Sequence, residues 1–214
     1  MISGIVFHGN YIYIFLDSDN SYSFKVSKKC LKYSDFFNDS LVDVHIFDQL
    51  TIDIFLKSII SDKSVCMELS IIFLNVASIY QNVQVFEYIS DNYYLPYIVV
   101  NIDNKFIVCN DYCYINDFIC FLNNCTWNID ISDVKLVSSK YNLSILEDIE
   151  YIDINDFLTI TDVFDKIDLC GCSMIGGNDI AFDLAVSLGI KYVLIDKDSN
   201  INRFFDIVKY LDGY

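Results

Sequence analysis

Residues 11–37 read YIYIFLDSDNSYSFKVSKKCLKYSDFF, and their pattern decides how the chain begins to fold. Tyr11 to Leu16 is an unbroken β-branched and aromatic run. With Ile5 to Phe7 before it, it predicts β-structure. Asp17-Ser18-Asp19-Asn20-Ser21 is a cluster of turn formers. Tyr22, Phe24 and Val26 then alternate with Ser23 and Lys25, the period-two pattern of a half-buried strand. A hairpin across residues 11–26 follows. Ser27 is placed to cap a helix in which Leu31, Ser34 and Phe37 recur every third residue, with Asp35 and Asn38 as polar positions between them.

Beyond this stretch, Val42, Val44 and Ile46 alternate again and predict a short third strand. Asp48 can open a helix in which Ile52, Phe55, Leu56 and Ile59 fall at i, i+3, i+4 and i+7. Asp62-Lys63-Ser64 interrupts it. From Glu68 to Tyr80 the chain is apolar on most sides of a helix, which predicts a buried one. Val83, Val85, Phe86 and Ile89 predict one more, and Leu95-Pro96 marks a boundary, because a residue before proline leaves the helical region.

This order of strand, turn, strand, helix, short strand, helix and helix pair resembles the BTB/POZ fold in its Skp-type adaptor variant. The stretches that carry the resemblance are residues 11–37, VHIFDQLTIDIFLKSII (44–60) and ELSIIFLNVASIYQNVQVFEYI (68–89), about residues 10–92 in all. "LNVASIYQNVQVF" is similar to the family's paired-helix segment. Two positions depart from the family pattern. Ser78-Ile79 stands where Skp-type adaptors carry Asn-Tyr, with Tyr80 one position late. Val26 and Ser27 stand where many BTB domains carry a buried Asp and His. The resemblance implies assembly with protein partners, a cullin or another multisubunit complex among them, and self-association into a homo-oligomer. By position it implies that the Phe47-to-Phe55 segment and Ser78 to Tyr80 face the partner, with Phe47, Phe55, Ser78, Ile79 and Tyr80 as partner-binding residues and Phe47, Phe55 and Tyr80 as hydrophobic anchors; the competing reading makes all three core.

The second half predicts strands at Tyr97 to Val100 and Lys105 to Cys109 around an Asp103-Asn104 turn, and a short helix or strand at Asn116 to Leu122. IEYIDINDF (149–157), FDKIDLCGCSMI (164–175) and IKYVLIDKDSNI (190–201) each put a β-like run before a polar turn. Helices follow the last two, Asp179 to Leu188 ended by Gly189 and Phe204 to Leu211. "IDLCGCSMI" and "YVLIDKDSNI" resemble the strand-and-turn segment of leucine-rich repeats, although any small α/β layer gives the same succession. The expected fold class is therefore α/β: a BTB/POZ-like domain over 1–95, then a second small α/β domain over 96–214, repeat-like or single.

Composition bounds the functions. Hydrophobic residues make up 54% of the 214-residue chain, which argues for a folded chain throughout. The formal net charge of −16 disfavours nucleic acid and anionic membrane surfaces as partners. It reads first as a solubility device and second as the mark of a basic partner. Cationic residues are nearly all lysine, with Arg203 the single arginine, and the abundance of Ile, Asn, Asp, Tyr, Phe and Lys carries the imprint of an AT-rich genome. The opening residues lack a basic segment and a cleavage site, apolar runs are interrupted by polar residues, and the eight cysteines sit mostly inside apolar runs. The expectation is an intracellular chain with free thiols.

Motifs for chemistry are sparse, and the reading expects no enzyme, cofactor or metal. Gly171-Cys-Ser-Met-Ile-Gly-Gly177-Asn178 lies where a phosphate-binding loop could, but that loop requires Lys and then Ser or Thr after its second glycine; a tight turn capped by Asn178 is expected. Cys109 and Cys113, with Cys120 and Cys125, approach zinc spacing yet stand in apolar sequence. His8 and His45 are the only histidines, so a nucleophile–histidine pair has few candidates. Asp17-Asp19 and Asp196-Asp198 lack the Gly and Glu of a calcium loop and read as turns. Three functions remain: an adaptor, including one for a cullin-type ubiquitin ligase; a scaffolding subunit of a larger complex or virion; and a small nucleotide-binding enzyme on the C-terminal half.

Overall fold

The chain is mixed α/β and divides into two compact units, Met1–Tyr88 with Asn155–Cys170 and Ile89–Ile154 with Gly171–Tyr214. The structure, a computed structural model, describes residues 1–17, 20–37, 41, 43–102, 105–109, 142–144, 149–195 and 199–212. The expected boundary at residue 95 thus falls near the first division, but residues 155–170 join the first unit. The expected element at 116–122 lies outside the described residues.

In the first unit, β1 (Ile2–His8), β2 (Tyr11–Leu16) and β3 (Asn20–Lys25) form an antiparallel meander. Ile5 pairs with Ile14, and Tyr13 with Ser23. Alternation puts Ile2, Ile5, Ile12, Ile14 and Leu16 into the core. After β3 the chain makes a 3-10 helix, Cys30–Phe36, instead of an α-helix, which suits the three-residue spacing of Leu31, Ser34 and Phe37. The third strand expected at 42–46 is reduced to one backbone exchange with β1: Ile2 donates to the Val44 carbonyl and Asp43 to that of Ile2, both at 2.9 Å. Asp43 has φ +71°, a left-handed conformation that cannot continue an extended run.

α1 (Gln49–Ile59) begins where Asp48 accepts from the Thr51 amide, and α2 (Lys63–Tyr80) where Asp62 accepts from Ser64 and Val65. By length and composition α2 is long and apolar enough to cross a membrane, yet 61% of it is buried. Core packing accounts for its apolarity. α3 (Val85–Ile89) follows. A line of rings joins sheet to helix: Phe7 meets Phe37 at 5.3 Å, and Phe37 meets Phe55 edge-on at 5.7 Å.

The second unit is built on a six-stranded mixed sheet ordered β6-β5-β4-β9-β8-β7. Its strands are β4 (Tyr97–Ile102), β5 (Lys105–Cys109), β6 (Asn142–Ser144), β7 (Tyr151–Asp153), β8 (Met174–Gly176) and β9 (Tyr192–Ile195). β4, β9, β8 and β7 run parallel; β5 and β6 are antiparallel to their neighbours. In a stacked repeat, strands lie in chain order, whereas here β4 sits beside β9. Residues 164–170, expected as a β-like run, are helical: they belong to α4 (Ile160–Cys170). Ile160, Val163, Phe164 and Ile167 supply the i, i+3, i+4, i+7 stripe that a β-reading begun at Phe164 cuts in two.

α5 (Ile180–Leu188) packs on β8 and β9. It ends at Gly189, whose φ of +68° spares the strain a side chain would meet there. α6 (Ile201–Asp212) is held to α5 by Arg203, which grips the buried Asp183 carboxylate through Nε (3.1 Å) and Nη2 (2.5 Å), and by Phe182 against Phe204 at 5.4 Å.

Gly176 lies so close to β9 that an added Cβ would meet the Leu194 carbonyl oxygen at 3.0 Å and Leu194 Cβ at 3.1 Å. Gly176→Ala is expected to destabilise the chain by about 1–3 kcal/mol, read as a lowered urea midpoint; an unchanged midpoint would show that the strands separate freely there.

Candidate interaction surface

Two clusters of the first unit stand out, one that fixes its helices and one that faces outward. The first begins at Asp53, a carboxylate of α1 with no exposed surface. Its Oδ1 accepts from Ser70 Oγ (2.7 Å) and Gln49 Nε2 (2.8 Å), and its Oδ2 from the Thr161 amide (3.1 Å). Ser70 Oγ in turn accepts from the Ile160 amide at 3.0 Å. Two amides left open by the first turn of α4 are therefore satisfied by α1 and α2, and the negative charge lies at the positive end of that helix. Thr159 completes the start by donating through its amide and hydroxyl to Asp162, half of a capping box. Lys57 Nζ reaches Asp162 at 2.8 Å. Burial pushes the Asp162 carboxyl up, but the Lys57 ammonium and the Thr159 donors outweigh it and hold the group below its usual range. Gln49 Oε1 is buried without a partner.

Nothing in this cluster is arranged for chemistry. The carboxylate is saturated with donors, and Cys66 is a thiol pushed up to about 12, chiefly by burial and then by Asp53 and Asp162. Cys30 is likewise pushed up to about 12 by burial, with Glu68 nearby; Glu68 also accepts from the Ser27 amide at 2.7 Å. Such thiols are poor nucleophiles. Cys113, Cys120 and Cys125, named with Cys109 for zinc, lie outside the described residues, as do Asp19, Asp196 and Asp198. Among the described residues no group of three or more His, Cys, Asp or Glu is placed to hold a metal ion. At residues 171–178 the turn runs from β8 to α5, and Asn178 Oδ1 accepts from the Ile180 amide at 3.0 Å; what precedes Gly171 is α4 and not the strand that the sequence suggests.

The second cluster gathers where α1 begins and α2 ends. Phe47, just before the Asp48 cap, places its ring 5.8 Å from Tyr80 and 6.1 Å from Tyr88. His45 lies against it at 4.9 Å, and its Nδ1 accepts from the Phe47 amide. Phe47 is half-buried, while Tyr80 keeps 39% of its surface exposed and Ile79 48%. On α1, Leu50 and Ile54 are 58% and 56% exposed. At i and i+4 they share one side of the helix.

The five residues expected at a partner surface thus separate. Phe47 and Tyr80 meet, and Ile79 stands exposed beside Tyr80. Phe55 turns to Phe37 in the core. Ser78 is buried, its hydroxyl donating to the Asn75 carbonyl of its own helix at 2.9 Å. Leu50 and Ile54 lie inside the Phe47-to-Phe55 segment expected at a partner surface without being singled out there, and Tyr88 lies outside both expected segments. The signal for the first two was available, since both are apolar residues off the Ile52-Phe55-Leu56-Ile59 stripe.

No protein-family model, no curated protein and no solved structure matches this chain.

Ser70→Ala removes an acceptor for the Ile160 amide and a donor to Asp53 together. It is expected to cost about 1–3 kcal/mol, with faster amide exchange in the first turn of α4; a loss spread evenly over the chain would contradict the local role. Because the Asp162 pKa is lowered on folding, its contribution is present above about pH 4 and is lost as pH falls through the folded value. Asp162→Asn should therefore lower the urea midpoint at pH 7, by an amount that shrinks as the pH is taken below about 4.

Proposed function

We propose that this chain is a protein–protein interaction adaptor with no catalytic activity of its own, its first unit a BTB/POZ-like domain of the Skp type. The observation that carries the reading is the apolar surface of α1 and α2. Tyr80 is partly exposed beside the Phe47 ring, and Leu50, Ile54 and Ile79 are exposed on the same two helices; large apolar residues left exposed together mark interaction sites more often than single scattered ones do. An aromatic anchor inside an apolar surround is the usual make-up of an energetic centre in an interface. Support also comes from the order of elements, a β-meander followed by a short helix and a long helix pair. The partner is a protein: a cullin, in which case the chain joins a ubiquitin ligase, or another subunit of a larger assembly.

The second of these, a scaffold without cullin binding, draws on Ser78. Its hydroxyl is committed to its own helix and buried, so the position where Skp-type adaptors carry Asn offers a partner no polar group.

The test is binding of the full-length chain to a panel of cullin N-terminal domains, with light scattering to read the oligomeric state. Submicromolar binding to one cullin, weakened at least tenfold by Tyr80→Ala or Leu50→Ser in a chain with an unchanged circular dichroism spectrum, is the result expected of a ligase adaptor. Stable self-assembly or a different partner, with no cullin bound, would leave the scaffold; indifference of every interaction to both substitutions would remove this surface from the function.

A further inference from the structure

The outer edge of β3 is an unfilled row of hydrogen-bonding groups. Within the antiparallel meander the Val26 amide donates to the Asn10 carbonyl at 2.8 Å, and Ile12 stands opposite Phe24, Ile14 opposite Tyr22. That bond fixes the alternation: Asn20, Tyr22 and Phe24 turn their main-chain groups to β2, and Ser21, Ser23 and Lys25 turn theirs away. The three outward residues are exposed, and no group among the described residues bonds to them on that side. The opposite edge, β1, is partly taken up by the exchange with Asp43 and Val44. Along β3, by contrast, outward N–H and C=O groups recur about every 6.8 Å, a row that an added extended strand satisfies.

Charge narrows which strand that is. The chain as a whole carries −16, yet residues 1–34 hold four lysines (25, 28, 29 and 32) and two carboxylates, Asp17 and Asp19. No Asp or Glu lies within β1, β2 or β3, and Asp17 faces the N-terminal ammonium at 3.5 Å. At physiological salt, charges act over about 8 Å. Two copies of this acidic chain therefore meet edge to edge at β3 without opposing carboxylates. The strand is also complementary to itself. An antiparallel pair related by a twofold axis at Ser23 sets Ser23 against Ser23, Lys25 against Ser21, and Tyr22 against Phe24 of the other copy. Each outward N–H then meets an outward C=O. A lysine on an edge ordinarily discourages pairing, but in this register no second cation stands opposite Lys25. Tyr22 and Phe24, both half-buried in the single chain, become an aromatic cross-strand pair, which stabilises a sheet.

We infer that the occupant of this edge is the β3 strand of a second copy of this chain, paired antiparallel about Ser23 to make one continuous sheet across a twofold dimer. The contact is small, so the dimer forms and separates with concentration. The inference goes beyond the adaptor reading and does not depend on it, because no residue of β3 belongs to the surface proposed there.

The experiment is sedimentation velocity of the full-length chain over a concentration series at physiological salt. The expected result is a monomer–dimer equilibrium. Ser23→Pro removes an N–H that β2 does not use, and an edge strand tolerates proline at such a position. It should weaken dimerisation roughly tenfold or more with an unchanged circular dichroism spectrum. Ser21→Lys, made on an exposed side chain, sets like charges directly opposite and should weaken dimerisation about twofold to fivefold. Adding Lys25→Glu to Ser21→Lys should restore it, and these two variants read the register even if Ser23→Pro does not fold. Weakening by Ser21→Lys that Lys25→Glu leaves unreversed would overturn the register about Ser23. A chain that stays monomeric throughout the series overturns the inference. A dimer indifferent to all of these substitutions does so too, since it is built on another surface. If the chain is monomeric and Ser23→Pro instead abolishes binding of a different protein, the edge takes that protein's strand and the second copy is ruled out.

Discussion

The carboxylate of Asp53 has no contact with water, and three donors from three separate parts of the first unit converge on it. A buried charge is tolerated only when its oxygens are occupied, and here the occupants are Gln49 on its own helix, Ser70 on α2 and the Thr161 amide of α4. Removing any of the three elements leaves the charge short of a donor. Ser70 carries the same demand outward, since one hydroxyl both donates to Asp53 and receives the Ile160 amide. Hydrophobic contact is indifferent to a small slide of one helix along another. A network with hydrogen-bond distances of 2.7–3.1 Å is not, so the axial position of α4 against α1 and α2 is fixed by these atoms.

That fixed arrangement decides what α1 turns outward. Its inner side is spoken for by Ile52, Asp53 and Leu56, all buried, and Phe55 is drawn to Phe37. Leu50 and Ile54 cannot also turn inward, because successive residues on a helix are about 100° apart and the buried stripe uses the available arc. Their exposure is thus a consequence of the register that Asp53 sets. The Phe47–Tyr80 contact ties the ends of the two helices together, and the rings serve packing on one side and the surface on the other.

Much of the first unit was legible because local chemistry agrees with the tertiary arrangement. The alternation at Tyr22–Val26, the cap at Asp48 and the helical stripe of Ile52, Phe55, Leu56 and Ile59 each point to the element that forms. Legibility failed where a distant partner or a backbone angle intervenes. Val44 and Ile46 alternate like a strand, but Asp43 sits at φ +71°, which no periodicity reveals. Phe164 to Met174 contains enough β-branched and apolar residues to resemble a strand, and the helix that takes most of it is signalled by Thr159 and Asp162 upstream, then secured by residues 90 and 108 positions away. On the candidate surface, Phe47 and Tyr80 followed from position in a resembled pattern, whereas Leu50 and Ile54 are marked within the same segment only by standing off the apolar stripe of α1. The buried network itself was hidden in composition: in a chain with 30 acidic residues, Asp53 looks like any other.

The membership of residues 155–170 in the first unit also bears on synthesis from the ribosome. The meander, α1 and α2 emerge early, yet the two α4 amides that complete the acceptor set of Asp53 and Ser70 come only after the intervening stretch has been made. At about 5–20 residues per second, the nascent chain spends several seconds with its central carboxylate unfinished. During that interval only water is on hand to occupy the acceptor positions that the α4 amides later fill. The order of translation therefore sets a waiting period for this unit, which closes only when residues 155–170 arrive.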